Sequence, residues 1–80
     1  MSDYVDIICY DKDDVNFKTS YSLSLKPEEL KKGLLKDENG CFIKYSFYHH
    51  RDGKMHSKTE EMVRIDPKEY KRINRVMNGN

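Results

Sequence analysis

Two ten-residue windows, 40 positions apart, carry the same local pattern, and this recurrence constrains the fold of the 80-residue chain more than any other feature. Leu23-Ser24-Leu25-Lys26-Pro27-Glu28-Glu29-Leu30-Lys31-Lys32 lies over Val63-Arg64-Ile65-Asp66-Pro67-Lys68-Glu69-Tyr70-Lys71-Arg72, with identities at Pro27/Pro67, Glu29/Glu69 and Lys31/Lys71. Each window is an alternating apolar run that meets a proline and becomes helical. The halves 1–40 and 41–80 therefore each read as strand, turn, strand, helix within a single domain, 1–80. The predicted fold is α+β: a four-stranded, mostly antiparallel sheet with two helices on one face, in ββαββα order. Shared helix-start chemistry produces such identities as readily as an internal ββα duplication does, and the topology follows either way.

The strand signals are periodic. Val15, Phe17, Thr19, Tyr21, Leu23 and Leu25 alternate with Asn16, Lys18, Ser20, Ser22 and Ser24, the pattern of a half-buried strand. Val5, Ile7 and Cys9 form an earlier run, and Asp11–Asp14 separates the two as a hairpin loop. Both apolar faces reach one core only if odd residues pair with odd ones. That condition predicts Asp11 opposite Val15 and Cys9 opposite Phe17.

Pro27 then opens a helix, where its missing N–H costs nothing. Glu28 and Glu29 suit the positive end of the helix dipole, and Lys31, Lys32 and Lys36 lie toward the negative end. Leu30, Leu34 and Leu35 make its apolar stripe. Gly33 weakens a helix by about 1 kcal/mol relative to Ala, so its presence predicts close backbone approach to the sheet. Asn39-Gly40 supplies a stop.

In the second half, Cys41, Ile43, Tyr45 and Phe47 form the inward face and Asp52-Gly53 turns the chain. Val63 and Ile65 return to the core opposite Ile43 and Cys41. This register also turns Ser57, Thr59 and Glu61 inward, a tension that a bulge near Thr59–Glu61 or a strand starting near Glu60 would relieve. The last helix begins with Asp66 as N-cap, Pro67 at N1 and Glu69 at N3, a capping-box arrangement. Tyr70, Ile73 and Met77 form its buried stripe, Val76 flanks it, and Asn78-Gly79 ends it.

Composition narrows the function classes. Charged residues make up 36%, yet 15 Lys and Arg nearly cancel 14 Asp and Glu, which argues against a generic polyanion binder. The distribution is uneven. Residues 1–16 carry five aspartates against Lys12, a sum of −4, and residues 64–80 carry five basic against two acidic side chains, a sum of +3. No apolar run spans a bilayer and no signal pattern opens the chain, so a soluble, cytoplasmic protein with no membrane attachment is expected. Cys9 and Cys41 sit at core positions and read as buried thiols rather than a disulfide or ligand pair.

No motif for chemistry emerges, and no enzyme activity, cofactor or metal is expected. His49, His50 and His56 straddle the Asp52-Gly53 turn, but adjacent strand residues point to opposite faces and cannot share one ion without a bend. The glycines are isolated and build no phosphate loop. Glu28-Glu29 and Glu60-Glu61 diverge rather than sharing a proton.

What exceeds background is the even-numbered face of the sheet, turned away from the helices. Tyr4, Ile8, Tyr10, Phe42, Tyr48 and Met62 alternate there with Lys18, Lys44, His50, Lys58 and Arg64. Such a patch suits a protein partner. The expected function is a small non-enzymatic protein-interaction module, a regulator, adaptor or inhibitor, including one encoded by a phage or mobile element. Its expected partner-binding residues are Tyr4, Tyr10, Phe42, Lys44, Tyr48, His50 and Arg64, together with the charged ends. An unpaired edge strand makes a homodimer plausible. The alternative is a single-stranded nucleic-acid platform using Tyr4, Tyr10, Phe42 and Tyr48 with Lys44 and Arg64. Asp6 and the Asp11–Asp14 loop would repel phosphate, which favours the protein partner.

Overall fold

The computed structural model describes residues 3–79. Their elements run β1 (Val5–Asp11), β2 (Ser20–Leu25), α1 (Pro27–Gly33), β3 (Leu34–Asp37), β4 (Gly40–Arg51), β5 (Lys54–Ile65) and α2 (Pro67–Met77). The strands form one sheet in the order β2-β1-β5-β4-β3, and every neighbouring pair is antiparallel. The α+β class and the antiparallel sheet with two helices match expectation, whereas the sheet has five strands rather than four and the order is ββαβββα.

Side-chain parity explains where the core lies. Ile7, Cys9, Leu25, Cys41, Ile43, Val63 and Ile65, all odd, are buried together with Leu30 of α1 and Ile73 of α2. Both helices thus cover the odd face. Pro27 and Pro67 each occupy the first helical turn, and Asp66 caps α2 by accepting the Lys68 N–H at 2.7 Å. Gly33 confirms the close approach expected of it: a Cβ there would stand 1.8 Å from the carbonyl oxygen of Lys44 on β4.

The extra strand comes from residues assigned by sequence to the first helix. α1 ends at Gly33, and Leu34 and Leu35 open β3, pairing with Ile43 and Phe42. Asn39-Gly40 is accordingly the β3–β4 turn, with Gly40 at φ 135°, and not a helix stop. An i,i+4 leucine pair satisfies a helical stripe and a short strand equally well, and the close contact of Gly33 with β4 leaves no room for a further turn.

The first hairpin keeps odd-to-odd parity but moves four residues: Cys9 faces Tyr21, and Val5 faces Leu25. Val15, Phe17 and Thr19 lie in an exposed loop instead of a strand. Asp14 organises that loop, accepting the N–H groups of Lys18 and Thr19 at 3.0–3.1 Å, and Phe17 takes a positive φ of 54°. These bonds hold the Asp14 carboxyl below its usual range, the Thr19 amide contributing most.

The second hairpin has the predicted register, with Cys41 opposite Ile65 and Ile43 opposite Val63. Its bulge is not near Thr59–Glu61; the register shifts at His49/His50, next to the Asp52-Gly53 turn. Strand β5 starts at Lys54, well before Glu60. Ser57, Thr59 and Glu61 tolerate the odd side because all three are exposed to water.

The seam between β1 and β5 is narrow, only Tyr10 with Arg64 and Asp11 with Val63. Beyond Ile65 the chain turns into α2, and side chains of that helix take over the edge of β1. Glu69 accepts the Ile8 N–H at 2.9 Å, and Arg72 donates to the Asp6 carbonyl at 2.7 Å. The two also pair with each other at 2.6 Å. Glu69 therefore does not close a capping box with Asp66, because its carboxylate is engaged across the seam. Bonding from Arg72, assisted by the Ile8 amide, holds the Glu69 carboxyl below its ordinary value despite partial burial.

Candidate functional site

The predicted patch divides into a sealed centre and open ends. Phe42 is 5% exposed and Arg64 8% exposed, so neither lies open on the face where sequence parity put them. Arg64 donates to the Lys12 carbonyl through both Nε (3.0 Å) and Nη2 (2.7 Å) and to the Asn39 carbonyl through Nη1 (2.9 Å). Its guanidinium lies 4.7 Å from the centroid of the Phe42 ring. It thereby ties the β1–β2 loop to the β3–β4 turn and roofs the phenylalanine. Tyr10 is half-buried, packed edge-on against Phe17 at 4.9 Å. A planar guanidinium with several directed donors suits such a clasp, and a lysine ammonium would not reproduce it.

The remaining predicted residues are exposed but dispersed. Tyr4 lies just before β1 with the Lys26 ammonium 6.0 Å from its ring centroid. Lys44 pairs with Glu60 at 3.2 Å on the open surface. Tyr48 and His50 lie on the outer part of β4. The basic end of the chain also shrinks, since Arg64 is internal and Arg72 is bound to Glu69, leaving Lys68, Lys71 and Arg75 on α2.

The dominant exposed feature is one that residue patterning did not single out. Twelve residues at ~3.3 Å each span ~40 Å, and the longest dimension of the molecule is 39 Å. Strands β4 and β5 thus run its full length as a two-stranded ribbon. Strand β3 pairs with β4 only as far as Ile43, and β1 pairs with β5 only as far as Val63. Beyond those points no strand among the described residues flanks the ribbon. Its outer half exposes Phe47 (51%), Tyr48 (49%) and Met55 (62%). Phe47, expected inward, keeps the correct parity but has no layer to enter; it packs edge-on against His49 at 4.9 Å. The available sequence signal was the polar run Ser57, Thr59, Glu61 at inward positions, which marks a hairpin that has outrun its core.

An acidic cleft of about 720 Å³ opens where β1 stops and β5 continues. Asp11, Asp13, Asp14, Glu60 and Glu61 line it against Lys12, with Tyr21, Tyr45, Met62 and Val63 completing the lining. Desolvation pushes the Tyr21 phenol up to about 12, with Cys9 adding to it, and raises Tyr45, with Glu61 adding to it. Both phenols stay neutral at physiological pH. Toward the tip the charge reverses, since Arg51, Lys54 and Lys58 outnumber Asp52.

Groups capable of chemistry are kept apart. Cys9 and Cys41 are free thiols in the core, and burial raises the Cys9 pKa, which disfavours a thiolate. His49 bonds Thr59 at 3.1 Å rather than sharing a centre with His50 or His56. Among the described residues no three His, Cys, Asp or Glu side chains gather to hold a metal ion, and no helix is long and apolar enough to cross a membrane. No family model, curated protein or solved structure matches the chain.

Proposed function

We propose that this chain is a small non-enzymatic protein-interaction module, a regulator, adaptor or inhibitor, that engages a protein partner with its projecting β4–β5 ribbon. The carrying observation is a hairpin with bare edges and faces that nonetheless displays Phe47, Tyr48 and Met55. A two-stranded ribbon gains little stability in water by itself, so apolar side chains at its outer half serve contact better than folding. Aromatic, Met and Arg side chains are the types enriched at protein interfaces. Lys44 and His50 share the even face of the ribbon with Tyr48, and Phe47 lies on the opposite face. Tyr4 belongs to the far end of the sheet, and Phe42 and Arg64 support the fold behind it.

The test is affinity capture from the native host's lysate, with and without nuclease, comparing wild type with a Phe47→Ser/Tyr48→Ser variant. The expected result is a protein partner that survives nuclease and is lost in the variant, whose thermal unfolding is unchanged. A variant that captures the same partner equally well would remove the ribbon from the reading.

A single-stranded nucleic-acid reading retains one supporting observation, the excess of basic over acidic side chains at the tip beside Phe47, Tyr48 and His49. Its original platform has lost Phe42 and Arg64 to the interior. Nuclease-sensitive capture, with affinity for short single strands falling steeply as salt rises, would favour it.

A further inference from the structure

We infer that the free edge of β5, Lys54–Glu61, pairs antiparallel with the same edge of a second copy, giving a closed two-fold dimer. The argument rests on comparing the edges the fold leaves open. Strand β2 is bounded by Lys18 and Lys26, so antiparallel pairing with itself sets like charge against like at both ends. Strand β3 has four residues and offers little ladder. The free part of β4 carries Lys44 and Arg51 with no acid among them, so antiparallel self-pairing sets one cation against the other. These are the ordinary ways in which a sheet protects its edges.

The β5 edge alone is bipolar. Its tip end carries Lys54 and Lys58, and its stem end carries Glu60 and Glu61 at the mouth of the acidic cleft. Antiparallel self-pairing sets the tip of each copy beside the stem of the other, so opposite charges meet twice. It also carries each Arg51-bearing tip toward the partner's Asp11–Asp14 loop. Strand β1 releases β5 after Val63, and the stretch from Lys54 to Glu61 lies just beyond that point, so an identical strand fits within the length left vacant. The two β5 edges close on each other, and the charge pattern of the β2, β3 and β4 edges disfavours further pairing, which limits assembly to two copies. The faces bearing Phe47 and Tyr48 remain open, so this inference stands apart from the partner reading above.

Sedimentation equilibrium on the full chain tests it with paired charge reversals. Lys54→Glu/Lys58→Glu makes the edge wholly acidic, and Glu60→Lys/Glu61→Lys makes it wholly basic; circular dichroism checks that both fold. Wild type is expected to dimerise, each variant alone to self-associate at least about tenfold more weakly, and their equimolar mixture to recover a 1:1 dimer. Phe47→Ser/Tyr48→Ser should dimerise as wild type does, which separates failure of this inference from failure of the partner reading. A wild type that stays monomeric up to about 1 mM overturns the inference. So does a dimer indifferent to the reversals, or a mixture that remains monomeric.

Discussion

The carboxylate of Glu69 holds the amide of Ile8 at 2.9 Å although the two residues are 61 apart in sequence. An amide at a β-strand edge ordinarily meets a neighbouring strand; here a helix side chain meets it, and Arg72 serves the Asp6 carbonyl beside it. The pair replaces rungs that β5 cannot supply after turning into α2.

Loss of that replacement should be costly. Glu69→Gln is expected to destabilise the fold by about 1–3 kcal/mol in urea unfolding, because the Ile8 amide and Arg72 lose a charged acceptor. The pH dependence has a defined sign. Since the folded carboxyl titrates below its ordinary 4.5, its contribution is complete above that pH and disappears as pH falls through the lower folded value. Wild type should therefore lose stability on acidification more than Glu69→Gln does.

Gly33→Ala offers a test by sign. In an exposed helix this change stabilises by about 1 kcal/mol. Here the added methyl would collide with the Lys44 backbone oxygen at 1.8 Å, and backbone cannot swing aside. The expected outcome is destabilisation of ~3 kcal/mol, the upper range for overpacking, read as a lowered urea midpoint.

Arg64→Ala should unfasten two loops at once. The carbonyls of Lys12 and Asn39 lose their donor and Phe42 loses its cover, for an expected loss of about 1–3 kcal/mol. Amide exchange should accelerate in residues 11–19 and 37–40 while the Cys41–Ile65 end of the β4–β5 ladder remains protected. Arg64→Lys should fall between wild type and Ala.

Cys9 and Cys41 should react with a thiol reagent in the native protein only as fast as the core opens. Both are buried, and desolvation keeps Cys9 in its thiol form. The check is a labelling rate that climbs with urea in parallel with unfolding.

The body of the fold was legible because two periodicities act there without competition. Odd-residue burial at Ile7, Cys9, Cys41, Ile43, Val63 and Ile65, the proline starts at Pro27 and Pro67, and the role of Gly33 all followed from spacing and backbone chemistry. Strand β3 was not legible, since Leu34 and Leu35 fit a helix stripe and only pairing with β4 decides between the two. Apparent alternation at Val15, Phe17 and Thr19 yielded to the bonds of Asp14. At the surface, parity placed Phe42 and Arg64 outward but could not register that Arg64 would find carbonyls on two loops and close over the ring. Exposure of Phe47 depended on how far the sheet's other strands reach, a property of partners distant in the chain.

The narrow seam has a kinetic consequence. Each hairpin can zip from its own turn, whereas the contact of Arg64 with Lys12 closes a separation of 52 residues. Long loops cost entropy before any long-range contact rewards them. Refolding should thus be paced by the late meeting of two preformed pieces, with the second helix acting as the latch that keeps them together.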